Sequence, residues 1–291
     1  MSRFDLKSSW WVHMVGLLML GVLCPTLGLT QTSAPPVPKD VPKEVVSRLH
    51  AEYPSLDLTG LRQVPQVPEL YEFTVNGTKA YTPSSVSYVL VGELLVKKDG
   101  KVLNVTKANL LSDRAQLFNG LPFNHAIKLV YGKGERKMAI FEDPFCPYCQ
   151  DLEHEMSQAG DALNATVYVF LYPFDSLHPS ASEKSAYFWC AKDRVEAWKS
   201  WMIFAAEHRQ QGQAYNAAWP EWLKTTGRQE GSTCADGRDV VNQNLTLGHN
   251  FGFNQTPTLL FENGSKWPGF LPLDKLQQAF DFAAQSKNQA Q

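Results

Sequence analysis

The sequence has no excess of charge of either sign. Its 291 residues include 27 Lys and Arg against 29 Asp and Glu, which gives a formal net charge of -2. The pI is close to 6.4. A protein that binds DNA or RNA normally carries a clear basic excess, so this balance argues against a nucleic-acid partner. Hydrophobic residues make up 44% of the chain, enough to fill the core of one large or two ordinary domains.

The sequence also lacks an apolar run of the length that a membrane-spanning helix needs, about 20 residues. The run from Trp10 to Leu23 is too short for that purpose, but it follows two basic residues as the apolar part of a secretory signal does. We therefore expect residues 1–30 to be a signal peptide that is cleaved close to Gly28. The alternative is an uncleaved N-terminal anchor.

Cysteine is scarce, and its placement excludes several kinds of site. Among five cysteines, Cys146 and Cys149 form the one Cys-x-x-Cys pair. A zinc site would need a second such pair or a His pair at ligand spacing, and Cys190 and Cys234 are too dispersed to supply one. Covalent haem attachment would need His after the second cysteine, where Gln150 stands. We expect no metal and no cofactor.

The stretch around Cys146 predicts a redox dithiol. The apolar run Met138–Phe141 predicts a buried strand and Asp151–Met156 predicts a helix, so Cys146 comes at a helix N-terminus. Unpaired N–H groups and the helix dipole stabilise a negative charge there, so Cys146 should ionise more easily than a free cysteine and act as the nucleophile. Cys149 follows one helical turn later on the same face and would release a stalled mixed disulfide.

The chain before the dithiol predicts a small α+β unit. A helical pattern over Lys43–Tyr53 is followed by short β-type runs that the Asn76-Gly77 and Asp99-Gly100 turn signals separate. A unit of roughly 70 residues buries little core alone, so we expect residues 36–104 to pair with a second copy. Residues 105–127 are predicted to be a linker helix, with helical spacing over Lys107–Asn119 that Asn119-Gly120 and Pro122 end. The predicted strands are Leu70–Val75, Ala80–Thr82, Ser87–Lys97 and Lys101–Asn104.

Residues 128–291 are predicted to form the redox domain, with a helical insertion at about residues 180–250. In an oxidising compartment, Cys190 and Cys234 in this insertion are best explained as a structural disulfide, the alternative being two free buried thiols. The Trp residues there are expected in the core rather than on a ligand platform. A strand begins directly after Pro257, and the residues alone leave open whether the Thr256–Pro257 bond is cis. The Trp residues are Trp189, Trp198, Trp201, Trp219 and Trp222.

Four motifs occur in order along the chain: Asp143 to Cys149, Trp189 to Arg194, Gln255 to Pro257 and Gly269 to Pro272. Together they resemble the DsbC/DsbG family of periplasmic thiol:disulfide interchange proteins. The resemblance implies an α/β fold, namely a thioredoxin-like domain with a helical insertion, preceded by a small α+β, cystatin-like dimerisation domain and a linker helix. It implies a cis Thr256–Pro257 bond and a V-shaped homodimer whose dithiols face a cleft. Substrate binding is assigned to Pro147, Tyr148, Thr256 and Pro257.

The function that the resemblance implies is a disulfide isomerase of the Gram-negative periplasm, with Cys146 and Cys149 as catalytic residues. Its substrates would be misoxidised secreted proteins, and a membrane thiol reductase similar to DsbD would keep it reduced. The run from Asp143 to Cys149 is similar to the DsbG branch, whereas the Cys190 and Cys234 pair is similar to the DsbC branch. The alternatives are a DsbG-like reductase of oxidised single cysteines and a holdase chaperone that uses the dimer cleft.

Overall fold

The computed structural model describes residues 41–55, 58–75, 78–212, 215–231 and 234–289. The predicted signal peptide, residues 1–30, and the predicted Asn76-Gly77 turn lie outside these ranges. None of the helices within the ranges is long and apolar enough to cross a bilayer.

Within the described ranges the chain forms eight α-helices and eleven strands. The helices are α1 (Lys43–Glu52), α2 (Val105–Asn119), α3 (Pro147–Ala159), α4 (Ala181–Cys190), α5 (Arg194–Gln210), α6 (Tyr215–Thr226), α7 (Ala235–Asn250) and α8 (Leu273–Gln289). The strands are β1 (Thr59–Gln63), β2 (Leu70–Val75), β3 (Thr78–Pro83), β4 (Leu90–Val91), β5 (Leu95–Lys98), β6 (Lys101–Asn104), β7 (Ile127–Tyr131), β8 (Arg136–Glu142), β9 (Ala165–Leu171), β10 (Thr258–Phe261) and β11 (Lys266–Pro268).

The N-terminal elements form a four-stranded antiparallel sheet in the order β1-β2-β3-β4, and a separate β5-β6 hairpin. Helix α1 packs on this sheet because its apolar positions Val45 and Leu49 fall on one face and are buried. They meet Leu61 and Phe73 of the sheet, which are equally buried. This small core is the one that the sequence predicted for a helix followed by hairpins.

Two details of this region differ from the prediction. Strand β1 was missed, because Gly60 at φ 68° and a register shift beside it interrupt the alternation that marks a strand. The predicted strand Ser87–Lys97 is two short strands, β4 and β5, and Gly92 at φ 145° lies between them. The helix predicted over Lys107–Asn119 is present as α2, which ends at Asn119 as expected, and a 3-10 turn follows at residues 123–125.

The C-terminal elements form a five-stranded mixed sheet in the order β11-β10-β8-β9-β7. Strands β8 and β9 are parallel and α3 connects them, while the other pairs are antiparallel. Because side chains alternate along a strand, Met138 and Ile140 of β8 face the core that contains α3 and α8, and Ala139 and Phe141 face the opposite core. Helices therefore cover both faces of the sheet.

Helices α4 to α7 lie between β9 and β10 in the chain and form the predicted insertion. A disulfide joins Cys190, at the end of α4, to Cys234, immediately before α7. Trp198, Trp201 and Trp222 are completely or almost completely buried, in keeping with the expectation that these residues form core. The insertion thus has an aromatic interior that continues into the core of the sheet.

A buried ionic cluster attaches α2 to the first sheet. Lys79 on β3 lies 3.0 Å from Glu72 of β2 and 2.7 Å from Asp113 of α2. Arg62 contacts the same two carboxylates at 2.7 and 2.6 Å. Burial opposes the ionisation of Glu72, but hydrogen bonds from Asn109 and Lys79 outweigh it and lower the pKa of that carboxyl. The cluster therefore holds two carboxylates and two cations in a balanced set.

Replacing Lys79 by Met should destabilise the protein by roughly 3 kcal/mol, because the change leaves the buried Glu72 without one of its two cations. Urea unfolding monitored by circular dichroism measures the loss. Arg62→Met is the matched control, since Arg62 contacts the same carboxylates but its side chain is 33% exposed. We expect a smaller loss for Arg62→Met, and equal losses would contradict the importance of burial.

Candidate redox site

The dithiol lies where β8 gives way to α3. Cys146 is the N-cap of α3, and Pro147 is the first residue of the helix, a position where the missing N–H of proline has no cost. The carbonyl of Cys146 accepts the N–H groups of Cys149 at 3.0 Å and Gln150 at 3.1 Å, while its own N–H donates to Asp143 at 3.1 Å. The backbone therefore places the Cys146 thiol at the positive end of the helix.

The structure brings the dithiol together with the loop before β10. Cys146 and Cys149 are both free thiols, 5% and 0% exposed. The Thr256–Pro257 bond is cis, as the resemblance implied, and Sγ of Cys146 lies 3.5 Å from the carbonyl oxygen of Thr256. Pro257 is buried, but Tyr148 between the two cysteines is 62% exposed. A disulfide approaching Cys146 would meet the exposed Tyr148 and the Thr256 backbone.

Opposite ionisation separates the roles of the two cysteines. A hydrogen bond from the Cys149 thiol is the largest influence on Cys146 and helps to lower its pKa to about 6 against the opposing effect of burial. A hydrogen bond with Thr256 and the backbone N–H groups of Cys149 and Tyr148 add to it. Burial raises the pKa of Cys149 well above its ordinary range, and the charges of Cys146 and Glu142 raise it further. Near neutral pH, Cys146 is a thiolate and Cys149 a thiol.

Side chains of the helical insertion hold the residues that directly precede Cys146. Trp201 Nε1 donates to the carbonyl of Pro144 at 2.7 Å, and Gln150 donates to the same oxygen at 3.0 Å. The Phe145 ring packs against Trp201 and Trp219 with centroids 5.2 and 5.9 Å apart. The prediction that the Trp residues form core missed this positioning role, for which no local sequence pattern exists.

Comparison with known proteins identifies the family. The family model for a thioredoxin-like domain matches residues 123–284. The probable thiol:disulfide interchange protein DsbC of Bordetella pertussis is 31% identical over 247 residues, which cover 84% of this chain and 75% of that protein. The chain belongs to the DsbC/DsbG family. DsbC of Escherichia coli, at 23% identity over 71% of this chain and 74% of that protein, is a more distant relative.

This membership makes the protein an enzyme of thiol–disulfide exchange. It also confirms the predicted α/β fold with a thioredoxin-like domain. A solved structure supports that fold at lower identity. The thiol-disulfide exchange protein alpha-DsbA2 from Wolbachia pipientis is 17% identical and matches with a TM-score of 0.50 over 62% of this chain and 99% of that one.

A pair of buried acids in this DsbC-family chain, below the dithiol, was not predicted from the sequence. Glu142 and Glu153 are 0% and 1% exposed, and Trp198 Nε1 donates to Glu153 at 3.0 Å. In the described part of the chain neither carboxylate oxygen of Glu142 has a hydrogen-bond partner. Burial raises the pKa of Glu142 well above its ordinary range, and the Glu153 charge raises it further. A signal for the pair existed, since Glu142 directly follows the apolar run Met138–Phe141 and precedes the motif.

Alkylation of the reduced protein by iodoacetamide should follow the ionisation of Cys146. We expect the rate to rise with a midpoint close to pH 6 and then to level off, because only the thiolate reacts. Mass spectrometry of the peptides should find the label on Cys146 and almost none on the buried Cys149. Cys146→Ala is the control for background reaction. A midpoint near that of a free cysteine, about 8.5, would contradict the proposed environment.

Glu142→Gln should stabilise the protein more at pH 8 than at pH 5. The folded-state pKa of Glu142 is raised, so the folded protein retains a proton that the unfolded chain loses, and wild-type stability decreases as the pH rises above the unfolded pKa. Gln does not titrate and escapes this loss. Urea unfolding at the two pH values measures the difference, with the exposed Glu183→Gln as control. A stability difference that does not change with pH would contradict the raised pKa.

Proposed function

We propose that this enzyme is a protein disulfide isomerase that rearranges wrong disulfides in secreted proteins. The observation that carries the proposal is the placement of Cys146 at the N-terminus of α3, 3.5 Å from the Thr256 carbonyl, with Cys149 completely buried one turn later. This placement lowers the pKa of Cys146 and raises that of Cys149. A thiolate ready at neutral pH suits the attacking role, and a buried neutral thiol suits a residue that acts only when the mixed disulfide persists.

The proposed reaction begins when the Cys146 thiolate attacks one sulfur of a substrate disulfide. The S–S bond breaks, the other substrate sulfur leaves as a thiolate, and Cys146 is joined to the substrate. Another substrate thiolate can then attack the joined substrate sulfur, which forms a new pairing and returns Cys146 as thiolate with no net change in oxidation state. If Cys149 loses its proton and attacks Cys146 instead, the substrate gains two electrons and the enzyme holds a Cys146–Cys149 disulfide.

The raised pKa of Cys149 favours isomerisation over reduction. Cys149 must lose a proton before it can attack, and burial makes that loss unfavourable. The mixed disulfide therefore has time to react with a second thiol of the substrate. Binding of the substrate chain is assigned to the backbone of Thr256, with Pro257 behind it, and to Pro147 and Tyr148, of which Tyr148 is the most exposed.

We further propose that residues 36–104 form a dimerisation domain, residues 105–127 the linker and residues 128–291 the catalytic domain. The support is an apolar surface made of individually exposed side chains on β4, β5 and β6, which a second copy would cover. A concentration of exposed apolar side chains in one part of a chain marks an interaction surface. Its residues and their exposed fractions are Leu90 56%, Val91 64%, Leu95 57%, Val102 65% and Leu103 44%.

The proposed setting is the periplasm, reached through a cleaved signal peptide in residues 1–30. Disulfides persist in that compartment, so an isomerase finds substrates there. Cys146 cannot attack a substrate while it is joined to Cys149, so the enzyme must also be kept reduced. We therefore assign it a membrane thiol reductase similar to DsbD as a partner. The rival activities are reduction of oxidised single cysteines and holdase binding in the cleft.

Reactivation of a scrambled protein with several disulfides in glutathione buffer tests the proposal. The wild-type enzyme should restore the activity of the scrambled protein, and Cys146→Ala should act no faster than buffer, because the attacking sulfur is gone. Cys149→Ala should retain part of the activity, since a substrate thiol can still resolve the mixed disulfide. Failure of the wild type would reject isomerisation and leave reduction of sulfenic acids, measured on a model sulfenylated protein, as the activity.

The double variant Val102→Glu, Leu103→Glu is a control for the dimer. It should elute as a monomer in size-exclusion chromatography, lose reactivation of the scrambled protein and retain reduction of a small disulfide. If the variant suppresses aggregation less than wild type while Cys146→Ala suppresses it fully, the apolar surface also acts as a holdase. An unchanged elution volume would contradict the dimer.

A further inference from the structure

Asp143 links the dithiol loop to a second loop. It follows β8 directly and is completely buried. Its Oδ1 accepts the N–H of Phe145 at 2.8 Å. Its Oδ2 accepts the N–H of Phe174 at 2.7 Å and lies 2.9 Å from Nδ1 of His178. Phe174 and His178 belong to the loop after β9, so one carboxylate joins the segment that precedes Cys146 to the segment that carries His178.

The same residue also contacts Cys146 through its backbone. The carbonyl of Asp143 accepts the N–H of Cys146 at 3.1 Å, which closes a tight turn between them. His178 lies against the side chain of Asp143, and its own side chain is 17% exposed. Asp143 therefore contacts both partners, His178 through its side-chain carboxylate and the backbone N–H of Cys146 through its carbonyl.

A completely buried carboxylate needs hydrogen bonds and a countercharge to remain ionised. Two backbone N–H groups supply the first requirement for Asp143, and a protonated His178 supplies the second. The hydrogen bond to Asp143 is the main cause that raises the pKa of His178, and the charge of Cys146 acts in the same direction. Asp143 thus favours the protonated form of His178, against the opposing effect of burial.

We propose that His178 is a positioning residue for the exchange reaction, an imidazolium that Asp143 holds beside Cys146 so that its charge stabilises the attacking thiolate. The inference rests on the proposed role of Cys146 as nucleophile and adds a residue outside the Cys-x-x-Cys motif and the loop before β10. His178 acts on Cys146 through its charge and forms no bond with the substrate. A stabilised thiolate also favours the reduced enzyme, because thiolates exist only in that form.

The other charged groups around Cys146 and His178 do not stabilise the Cys146 thiolate in place of His178. Arg209 on α5 donates to the Pro147 carbonyl at 3.2 Å, but it is also paired with Asp151. The acids below the dithiol oppose a thiolate, as the effect of Glu142 on Cys149 illustrates. The charged and titratable groups on the elements around Cys146 and His178 include Glu142 at the end of β8, Asp143 directly after it, Tyr148, Cys149, Asp151, Glu153, His154 and Glu155 on α3, Asp175 on the loop after β9, and Arg209 on α5.

The mutual stabilisation operates in a defined pH window. Cys146 is a thiolate above its pKa of about 6. His178 is charged below its own raised pKa and loses its effect as the pH rises through that value. Between the two values the enzyme holds a thiolate and an imidazolium at once. Coupling of this kind is reciprocal, so loss of the Cys146 charge must lower the pKa of His178.

The first test measures the thiolate absorbance at 240 nm of the reduced protein against pH. His178→Asn retains an amide N–H near the position of Nδ1 for Asp143 and removes the positive charge. We expect the Cys146 pKa to rise in this variant, so that the thiolate fraction at pH 6 decreases about two- to fivefold. His178→Lys restores a positive charge and should recover most of the thiolate. Cys146→Ala gives the baseline.

The second test follows the ring protons of His178 by NMR. In Cys146→Ala the pKa of His178 should be lower than in the reduced wild type, an effect that a merely structural histidine would not show.

His154→Asn is the matched control for the first test. His154 lies on α3 itself, its side chain is 16% exposed and it is 3.9 Å from the carboxylate of Glu207. We expect this control to leave the Cys146 pKa unchanged.

The outcomes separate this inference from the proposed function. If the wild-type thiolate forms near pH 6 and His178→Asn does not shift it, the inference fails while Cys146 remains the nucleophile. If His178 titrates identically in the wild type and in Cys146→Ala, the inference fails as well, even if His178→Asn does not fold. If the wild type forms no thiolate below pH 8, both the proposed nucleophile and the inference are rejected.

Discussion

The chemistry of this protein depends on keeping one of two neighbouring thiols ionised and the other protonated. A helix N-terminus alone cannot do this, because burial of Cys146 opposes its charge. Hydrogen-bond donors directed at Cys146 overcome this opposition and lower its pKa. Among them are the Cys149 thiol and the N–H groups of the first helical turn. At Cys149 burial is complete, and it outweighs the one hydrogen bond from the backbone of Asp143, so the pKa of this thiol is raised. Two cysteines with identical chemistry therefore have different roles because hydrogen bonds outweigh burial at Cys146 but not at Cys149.

The rest of the thioredoxin-like domain supports the different ionisation of the two cysteines. Pairing with β9 fixes the position of β8 and so the point at which the chain enters α3. Aromatic side chains of the helical insertion, such as Trp201, pack against Phe145 in this turn. Trp201 holds the carbonyl of Pro144, and Trp198 holds the buried Glu153. The insertion thus contributes both the hydrophobic interior that burial requires and the hydrogen bonds that keep the dithiol loop in one conformation. Its disulfide, Cys190–Cys234, joins the ends of two of its helices.

The N-terminal region has a separate small core and a different kind of attachment. Glu72 and Lys79 are buried on neighbouring strands, and Asp113 reaches them from α2. An apolar contact would allow α2 to slide on the sheet, whereas paired charges with fixed donors and acceptors define one position. In the proposed dimer, which the N-terminal region would form, the fixed position of α2 on the sheet would set the separation of the two dithiols.

The sequence by itself determined the order of the elements and the identity of the dithiol. Alternating and helical spacing are local signals, so the strand and helix on either side of Cys146 were predictable, and several motifs together indicated the family. Strand β1 was missed because Gly60 and a register shift beside it interrupt its alternation. Ser87–Lys97 was predicted as one strand because Gly92 alters the backbone without interrupting the apolar pattern. Tertiary structure alone decided that Glu142 approaches Glu153, that Trp201 meets Pro144 and that His178 meets Asp143. Those partners are 11, 57 and 35 positions apart, and only the folded chain brings them together.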